Sequence, residues 1–427
     1  MAETGRCNPI GVRGSFSLPL TIRAVRGFNK QMVVKGAPKK VLIWTATAFI
    51  SLMAIPLNSK ASDDEVLASR SAFTCDREQA THVGSNEGDV IMGTRGNDVI
   101  VARQGEDVVY GRGGSDTICT GLGGDRVYAG EGSDHVETGR GPDRIRGGPD
   151  DDSMYSGGGN DVVHGGDGRS LQVAGPGRDR MFGGPSNDNF ESPGRDWRND
   201  VDLFVGRGDA DSFSADPGDD VFDGGPGRDE VSFFRSPTGV EIDLSAGTAV
   251  GDGSDTLSSI ADLVGSRHAD TIRGNYWRND IFSAPGDDVV HGLNGDDELD
   301  DGSGSDWIDG GRGDDELVTG FCIYSSGEPI CQSDPPVPDI LLGGPGNDTI
   351  GSGPGDDQLS GDTGDDSLLG GDGSDVLSGG IGDDHLHGGT AAGTRPNADD
   401  GVHDDLDGGA DIDECRGRHD TFINCES

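Results

Sequence analysis

The chain has 427 residues, a formal net charge of -45, and a composition of 31% hydrophobic and 5% aromatic residues with 76 glycines. An ordinary globular domain uses about 45–50% apolar residues, so this chain cannot build a conventional hydrophobic core. A surface this negative also argues against nucleic acid and anionic membranes as partners of the mature protein.

The first segment, residues 1–61, differs from the rest in charge. It contains nine basic residues and a single acid. Lys39 and Lys40 precede an apolar run, and small residues near Ala61 provide a cleavage site. This order predicts a secretory signal peptide, with translation starting at Met32. An uncleaved membrane anchor remains the alternative.

From residue 84 onward an aspartate recurs at every ninth position. These aspartates are Asp89, Asp98, Asp107, Asp116, Asp125, Asp134, Asp143, Asp152, Asp161, Asp179 and Asp188. Glycines precede them, and an apolar side chain follows two residues later in most repeats. The period predicts an all-β fold, a parallel β-roll or β-solenoid in which two repeats form each coil. Ser170 and Gln172 replace the aspartate and its apolar partner in one repeat, so we expect the row to break there.

The pattern divides the chain into segments. They are a leader at 1–61, an amino-terminal cap at 62–83, a β-roll array at 84–191, looser repeats with a non-repeat β element at 192–264, a β-roll array at 265–318, a disulfide-containing insertion at 319–338, a β-roll array at 339–389, and a carboxy-terminal loop and cap at 390–427. Within the non-repeat element, Val240, Ile242 and Leu244 alternate with polar residues, which predicts a strand.

The tetrapeptide Trp-Arg-Asn-Asp occurs twice, beginning at Trp197 and at Trp277. We place both copies where the nine-residue spacing slips, and we assign the turn aspartates around the second copy to Asp270, Asp280 and Asp288. Both copies are interpreted as enlarged turns whose indoles cover a coil edge. A sugar-binding platform is the alternative.

Calcium is the ion that such turns suit. It takes six to eight oxygen ligands and mixes carboxylates with backbone carbonyls. In the nonapeptide G-G-x-G-x-D-x-U-x, six residues form a turn and three form a short strand. The glycines adopt backbone angles that other residues avoid, and they let carbonyl oxygens point inward. We therefore expect calcium between the turns of adjacent coils.

The repeats resemble those of the RTX, or haemolysin-type calcium-binding repeat, family over roughly residues 84–389. The resemblance implies a parallel β-roll with several calcium ions bound in its turns. The chain ends, with Cys75 at one and Cys415 and Cys425 at the other, are similar to those of secreted bacterial calcium-binding proteins of this type. The resemblance supplies no activity, because such repeats are attached to many kinds of protein.

The predicted calcium ligands are the aspartates and glycines of the better-kept turns. The aspartates are Asp125, Asp134, Asp143, Asp152, Asp161, Asp179, Asp229, Asp306, Asp315, Asp348, Asp357, Asp366, Asp375 and Asp384. The glycines are Gly121, Gly123, Gly130, Gly132, Gly139, Gly141, Gly157, Gly159, Gly344, Gly346, Gly353, Gly355, Gly371 and Gly373.

The earliest turns depart from this pattern. Thr94, Arg103 and Arg112 replace a glycine, and their side chains should impede ion binding. We expect this end to be a cap that binds little or no calcium. A Gly-Asp turn stabilised only by its own hydrogen bonds remains an alternative throughout, most of all for Asp98 and Asp107.

Six of the seven cysteines follow the leader. Local pairing suggests Cys75 with Cys119, Cys322 with Cys331, and Cys415 with Cys425. An even number of cysteines behind a signal peptide indicates disulfides in an oxidising compartment. Free buried thiols are the alternative.

The leading hypothesis for function is a secreted, non-enzymatic protein that folds on binding several calcium ions. A hydrolase or polysaccharide-modifying enzyme with appended repeats is less favoured, because the sequence contains neither H-E-x-x-H nor G-x-S-x-G. The largest non-repeat block outside the leader, near 233–264, is also short. An adhesin or matrix spacer is the third hypothesis. A polysaccharide or cell-surface partner is left open.

Overall fold

A computed structural model of the protein describes residues 73–192, 200–251, 253–319, 322–325, 328–331, 336–389, 404–410, 413–416 and 421–425. The predicted leader lies outside the described residues, so the signal peptide stays a prediction. The regular secondary structure of the described part consists of β-strands, numbered β1 to β40 in chain order. Among these residues no helix is long and apolar enough to cross a membrane.

Most strands belong to two long sheets that run side by side along the chain. Sheet I consists of β3 (His82–Val83), β5 (Val99–Gln104), β7 (Thr117–Leu122), β9 (His135–Arg140), β11 (Asp152–Tyr155), β13 (Ser170–Val173), β15 (Asn189–Glu191), β17 (Ser212–Ser214), β19 (Glu230–Ser232), β23 (Asp262–Val264), β25 (Asp280–Phe282), β27 (Glu298–Asp300), β29 (Glu316–Val318), β33 (Thr349–Gly351), β35 (Ser367–Leu369), β37 (His385–His387) and β39 (Glu414–Arg416).

Sheet II contains the strands that alternate with these. It consists of β4 (Val90–Met92), β6 (Val108–Gly113), β8 (Arg126–Glu131), β10 (Arg144–Gly148), β12 (Val162–Gly166), β14 (Arg180–Phe182), β16 (Leu203–Val205), β18 (Val221–Asp223), β20 (Glu241–Asp243), β21 (Thr248–Val250), β22 (Ser254–Ser258), β24 (Thr271–Arg273), β26 (Val289–Asn294), β28 (Trp307–Arg312), β32 (Ile340–Pro345), β34 (Gln358–Thr363), β36 (Val376–Ile381), β38 (Asp405–Ala410) and β40 (Thr421–Ile423).

In the regular arrays each strand pairs in parallel with the strand two places later in the chain. In sheet I, Val99 lies opposite Thr117, and in sheet II Val108 lies opposite Arg126, a register of 18 residues. One coil therefore contains two nonapeptides, one contributing to each sheet. The predicted parallel β-roll is confirmed.

The hydrophobic core is a narrow seam between the two sheets. The side chain two residues after most turn aspartates is buried, as in Ile118, Val127, Ile308 and Leu377. Because strand side chains alternate between faces, each strand contributes only one or two inward residues. The seam is a single cluster that extends to Leu406, so little apolar material is needed to stack the coils.

The non-repeat element forms a small antiparallel meander inside sheet II. Strand β22 pairs in parallel with β18, β21 and β20 follow it in antiparallel order, and β20 pairs in parallel with β24. The predicted strand is β20, and Ile242 and Val240 are buried in the seam. Sheet II thus gains two strands here that sheet I lacks, since β19, β23 and β25 pair directly.

Two hairpins lie outside the sheets. Strands β1 (Thr74–Cys75) and β2 (Glu78–Gln79) form one, and β30 (Cys322–Ser325) and β31 (Glu328–Cys331) form the other, within the predicted insertion. The disulfides Cys75–Cys119 and Cys415–Cys425 are present, as predicted. The predicted bond between Cys322 and Cys331 concerns side chains outside the described residues.

The repeat without an aspartate keeps its place in the stack. Strand β13 pairs with β11 and β15, and the main-chain N–H and hydroxyl of Ser170 both donate to Asp188 Oδ1, at 2.7 and 2.8 Å. The buried amide of Gln172 donates to Ser170 Oγ and to the Phe182 carbonyl. The carboxylate row is interrupted here as expected, but the coils are not.

The prediction for the second Trp-Arg-Asn-Asp copy was wrong. Asn279, not Asp280, occupies the turn position, and its main-chain N–H donates to Asp297 Oδ1 at 2.7 Å across a normal step of 18 residues. The amide replaces a carboxylate because its Nδ2 donates to the Ala261 carbonyl at 2.6 Å. The nine-residue spacing does not slip, and the Trp277 side chain is 66% exposed.

The first copy lies mostly outside the described residues. The coils that flank it are joined by a hydrogen bond from the Asp179 main-chain N–H to Asp202 Oδ1, at a separation of 23 residues. This coil is therefore longer than the standard one.

Candidate metal centre

The turn aspartates form two ladders of hydrogen bonds along the stack. Oδ1 of Asp125 accepts the main-chain N–H of Asp107 at 2.8 Å, and Oδ1 of Asp143 accepts that of Asp125 at 2.7 Å. The same bond joins Asp366 to Asp348 at 2.8 Å. Each carboxylate therefore points toward the preceding coil and is fixed by it.

The second carboxylate oxygen is buried without a partner in most turns. Within the described part of the chain, Oδ2 has no hydrogen-bond partner in Asp107, Asp116, Asp125, Asp134, Asp143, Asp152, Asp161, Asp211, Asp220, Asp229, Asp288, Asp297, Asp306, Asp315, Asp348, Asp357, Asp366, Asp384 and Asp413. A buried polar atom without a partner costs about 1–3 kcal/mol, and more when it is charged. A row of such atoms is the donor set that a hard cation requires.

Twelve of the fourteen predicted aspartate ligands are in this open state. Of the other two, Asp179 Oδ2 accepts a long hydrogen bond of 3.3 Å from the Gly175 N–H, and Asp375 has a further contact within the described part. Both nevertheless stay in the ladder, through the bonds from Asp161 and Asp357.

A minority of turns are closed by their own residues. In these, the residue four places before the aspartate donates to the carboxylate. The Thr94 N–H and hydroxyl both donate to Asp98 Oδ2, at 2.6 and 2.9 Å. Ser85 does the same for Asp89, whereas Ser266 donates its N–H to Asp270 Oδ2 and its hydroxyl to Asp270 Oδ1. A hydroxyl at this position therefore satisfies the carboxylate that a cation would otherwise bind.

The predicted glycines explain how adjacent turns come so close. Twelve of the fourteen have positive φ, and Gly353 and Gly355 do not. A Cβ atom on Gly123, whose φ is 147°, would lie 1.6 Å from the Gly105 carbonyl oxygen of the preceding coil. The turn carbonyls thus face the next coil at a distance that leaves no room for any side chain.

The arginines of the first turns do not close them. Arg103 and Arg112 adopt φ of 90° and 82°, the left-handed conformation that glycine takes elsewhere. Their guanidinium groups contact side chains outside the turn: Arg103 lies over the Phe73 ring, 4.7 Å from its centroid, and Arg112 Nη2 lies 3.7 Å from Met92 Sδ. Low calcium occupancy at this end stays a prediction.

Burial raises the pKa of the turn carboxyls toward neutrality. Loss of solvent is the main cause, opposed by the hydrogen bond from the preceding main chain, and it raises the pKa of Asp134, Asp143 and Asp348 to about 7. The pKa of Asp306 is raised to about 8 for the same reason, with added repulsion from Asp288. Without a cation, the folded turns would hold protons instead.

Two sites bring three carboxylates together. Oxygens of Asp202, Asp216 and Asp220 lie within 4.8 Å of one another, as do those of Asp301, Asp306 and Asp339, and all six residues are buried. Burial, with repulsion from neighbouring acids, raises the pKa of Asp220 to about 9. Five of these residues were not among the predicted ligands. An acid in place of a small turn residue, at positions 216 and 301, is the signal that identifies both sites.

The sequence comparison agrees with this geometry. A family model described as RTX calcium-binding nonapeptide repeat (4 copies) matches residues 83–118, 120–145, 137–171, 199–231, 282–317, 338–368 and 360–394, half of the chain. No curated protein matches the chain. The repeats of this family bind calcium through a β-roll, and the buried, aspartate-rich turns fit that ion. The chain therefore belongs to the RTX calcium-binding nonapeptide repeat family.

Proposed function

We propose that this protein is a secreted, non-enzymatic calcium-binding protein whose β-roll forms when calcium enters its turns. The observation that carries the proposal is the row of buried aspartate Oδ2 atoms without hydrogen-bond partners. Calcium supplies positive charge and accepts several oxygen ligands at once. The aspartate carboxylates and the carbonyls of the turn glycines would hold it.

The charge of the chain supports a coupling between binding and folding. A chain with a formal net charge of -45 repels itself when it becomes compact. The metal-free roll would also bury its turn carboxylates without compensation. Because the ligands come together only in the folded roll, calcium binding contributes directly to the free energy of folding.

A matched pair of substitutions tests the role of the turn carboxylates. Asp357 and Asp356 are neighbours, and Oδ1 of each accepts one main-chain N–H, at 2.9 and 3.0 Å. Asp357 is buried with a partnerless Oδ2, whereas Asp356 is exposed. Asp357→Asn keeps the Oδ1 acceptor but removes the charge from the turn. We expect it to raise the calcium concentration at the folding midpoint roughly tenfold, about 1.4 kcal/mol.

The exposed control should leave this midpoint nearly unchanged. Asp356→Asn removes the same formal charge one residue away, so it corrects for the loss of net charge. Calcium titrations followed by circular dichroism give both midpoints. Equal midpoints in the two variants would show that the buried carboxylate does not bind the ion.

Secretion is supported by the two disulfides at opposite ends of the roll, Cys75–Cys119 and Cys415–Cys425. Such bonds persist in oxidising compartments and are rare in the cytosol of mesophiles. We expect the exported protein to begin at residue 62 and to show no reaction of these four cysteines with thiol reagents. Amino-terminal sequencing and thiol labelling check this, and a protein that retains residues before 55 would contradict it.

The absence of catalysis rests on how the acids are distributed. Apart from the extra acids Asp216 and Asp301, the buried turn carboxylates of the described residues recur once per turn along the stack. They are held by main-chain N–H groups, as for Asp125 and Asp348. A catalytic pair would instead converge on an open cleft. An activity that degrades or modifies a polysaccharide, and that remains with the protein in every purified preparation, would overturn this part of the proposal.

A further inference from the structure

One outer surface of the roll differs in charge from the rest of the chain. It is formed by the outward side chains of seven consecutive strands of sheet II, β4, β6, β8, β10, β12, β14 and β16. These side chains are Val90, Met92, Val108, Tyr110, Arg126, Tyr128, Arg144, Arg146, Val162, His164, Arg180, Phe182, Leu203 and Val205. Glu131, at the carboxyl end of β8, is an exposed acid at the edge of this set. The side chains named here include no acid, although the chain has 78 acidic residues. We call this surface the basic–aromatic face.

The arginines at its centre lack carboxylate partners. None of Arg126, Arg144, Arg146 and Arg180 forms an ion pair with any described residue, whereas Arg169, on another part of the roll, pairs with Asp151 at 3.1 Å. All four are exposed. Strands in a sheet are about 4.8 Å apart, so the four strands from β8 to β14 present these cations over roughly 15 Å. Four exposed arginines side by side on adjacent strands of so acidic a protein favour an anionic partner, because their charges add at one surface.

Aromatic rings hold two of these guanidinium groups, and that of the nearby Arg207, in place. The Arg146 guanidinium lies over the Tyr128 ring at 5.8 Å from the centroid, and those of Arg180 and Arg207 lie over the Phe182 ring at 5.4 and 5.1 Å. A stacked guanidinium keeps its N–H edge free for two parallel hydrogen bonds to a carboxylate. The loss of side-chain entropy on binding is correspondingly reduced.

The rings themselves are covered on both faces. Tyr128 stacks on Tyr110 with centroids 4.9 Å apart, and Phe182 stacks on His164 at 4.8 Å. Arginines cover the opposite faces. Proteins that bind single-stranded nucleic acid need open ring faces on which bases can stack. The basic–aromatic face lacks them at its two central rings, so it is suited to binding anions rather than bases.

A cleft of about 420 Å³ adjoins this face. It is lined by His164, Gly183, Pro185, Arg207 and Asp167, among other residues. Ligand sites in proteins begin at about 300 Å³, so the cleft has room for a small polar unit such as one sugar ring. Arg207 and His164 at its wall connect it to the row of arginines, and Asp167 offers an acceptor for hydroxyl groups.

We propose that the basic–aromatic face binds a linear acidic polysaccharide, with sugar carboxylates on the arginine edges and one sugar ring in the adjoining cleft. Such a polymer carries at most one carboxylate per sugar ring. Duplex DNA carries a charge about every 1.7 Å, so it would be repelled far more strongly by the acidic remainder of the protein. A narrow polymer can follow the strip of sheet II without approaching that remainder.

The surroundings of His164 are consistent with a local positive potential. Burial is the main cause that lowers its pKa, and the charges of Arg207, Arg146 and Arg180 lower it further. In a chain this acidic, three cations around one imidazole mark a local reversal of charge.

The test uses the full exported chain in saturating calcium, with sodium hyaluronate as the acidic polymer and dextran as the neutral one. The triple variant Arg144→Gln, Arg146→Gln and Arg180→Gln removes three cations from the face. Its control, Arg95→Gln, Arg140→Gln and Arg312→Gln, removes three exposed cations elsewhere. We expect binding of hyaluronate but not dextran, weakened at least tenfold in the face variant and unchanged in the control.

Several results would overturn the proposal. They are equal binding by the two triple variants, binding of single-stranded DNA as tight as that of hyaluronate, and a dimer that the face variant converts to monomer without any binding of hyaluronate. Circular dichroism in calcium verifies that each variant is folded. If the triple variant is not, Arg144→Gln alone replaces it, because this exposed side chain stacks on no ring of the described residues. The inference requires a folded roll only, so its failure leaves the calcium proposal intact.

Discussion

Alanine in place of Gly313 should lower the free energy of unfolding in calcium by more than about 3 kcal/mol. The φ of Gly313 is 136°, and a Cβ atom there would lie 1.5 Å from the Gly295 carbonyl oxygen of the preceding coil. That oxygen belongs to the main chain of a turn and cannot move aside as the end of a side chain would. The two coils must therefore separate locally, which opens the space between their turns.

The control for this substitution is Gly351→Ala, in the next coil of sheet I. A Cβ atom on Gly351 would meet only Val318 Cγ1, at 4.0 Å. Alanine is no worse than glycine in a strand, so we expect a change within about 0.5 kcal/mol or a slight gain. Denaturant titration in saturating calcium measures both. Similar stability of the two variants would mean that the coils are not as closely stacked as described.

Acid should induce folding when calcium is removed. The pKa of the turn carboxyls is raised above the ordinary value of 3.8 in the folded roll, to about 7 in Asp134 and Asp348 and to about 8 in Asp179 and Asp306, chiefly by burial. The folded state therefore binds more protons than the unfolded state does. Its stability is greatest near pH 4 and is lost as the pH rises through about 8.

We accordingly expect the β content of the chain in chelator to be higher at pH 5 than at pH 8, as measured by far-ultraviolet circular dichroism. Calcium should reverse this trend, because protons compete with the ion for the same carboxylates. The apparent calcium affinity should therefore fall as the pH drops from about 8 to 5. A chelated chain with equal or lower β content at pH 5 would contradict the assignment of the buried carboxyls.

The regular part of the fold could be predicted because the period determines it. Nine residues per repeat place the aspartate in the turn and the residue two places later in the seam, as for Asp125 and Val127. The meander around Ile242 could not be predicted beyond one strand, since a period-two pattern does not say which strands it pairs with.

Whether a turn carboxylate is open or closed by a nearby donor was harder to predict, because this depends on local hydrogen bonds. Thr94 and Arg103 both replace a glycine, and both side chains were expected to impede ion binding. The Thr94 hydroxyl closes its turn, whereas Arg103 takes the left-handed conformation and leaves Asp107 open. Asn279 was missed for a related reason, because an amide donates where a carboxylate accepts. A donor four places before the aspartate, whether a hydroxyl or a main-chain N–H such as that of Gly184, thus separates the two states better than glycine content does.

Calorimetric titration of the metal-free mature chain with calcium at pH 8, with circular dichroism recorded at each addition, tests the central claim most directly. The structure predicts that several ions bind per chain and that β content rises in step with them, because the open aspartate turns become satisfied together. If no calcium bound at the highest concentration added, or if the full β content were already present in chelator, the claim that cations hold the coils together would be contradicted.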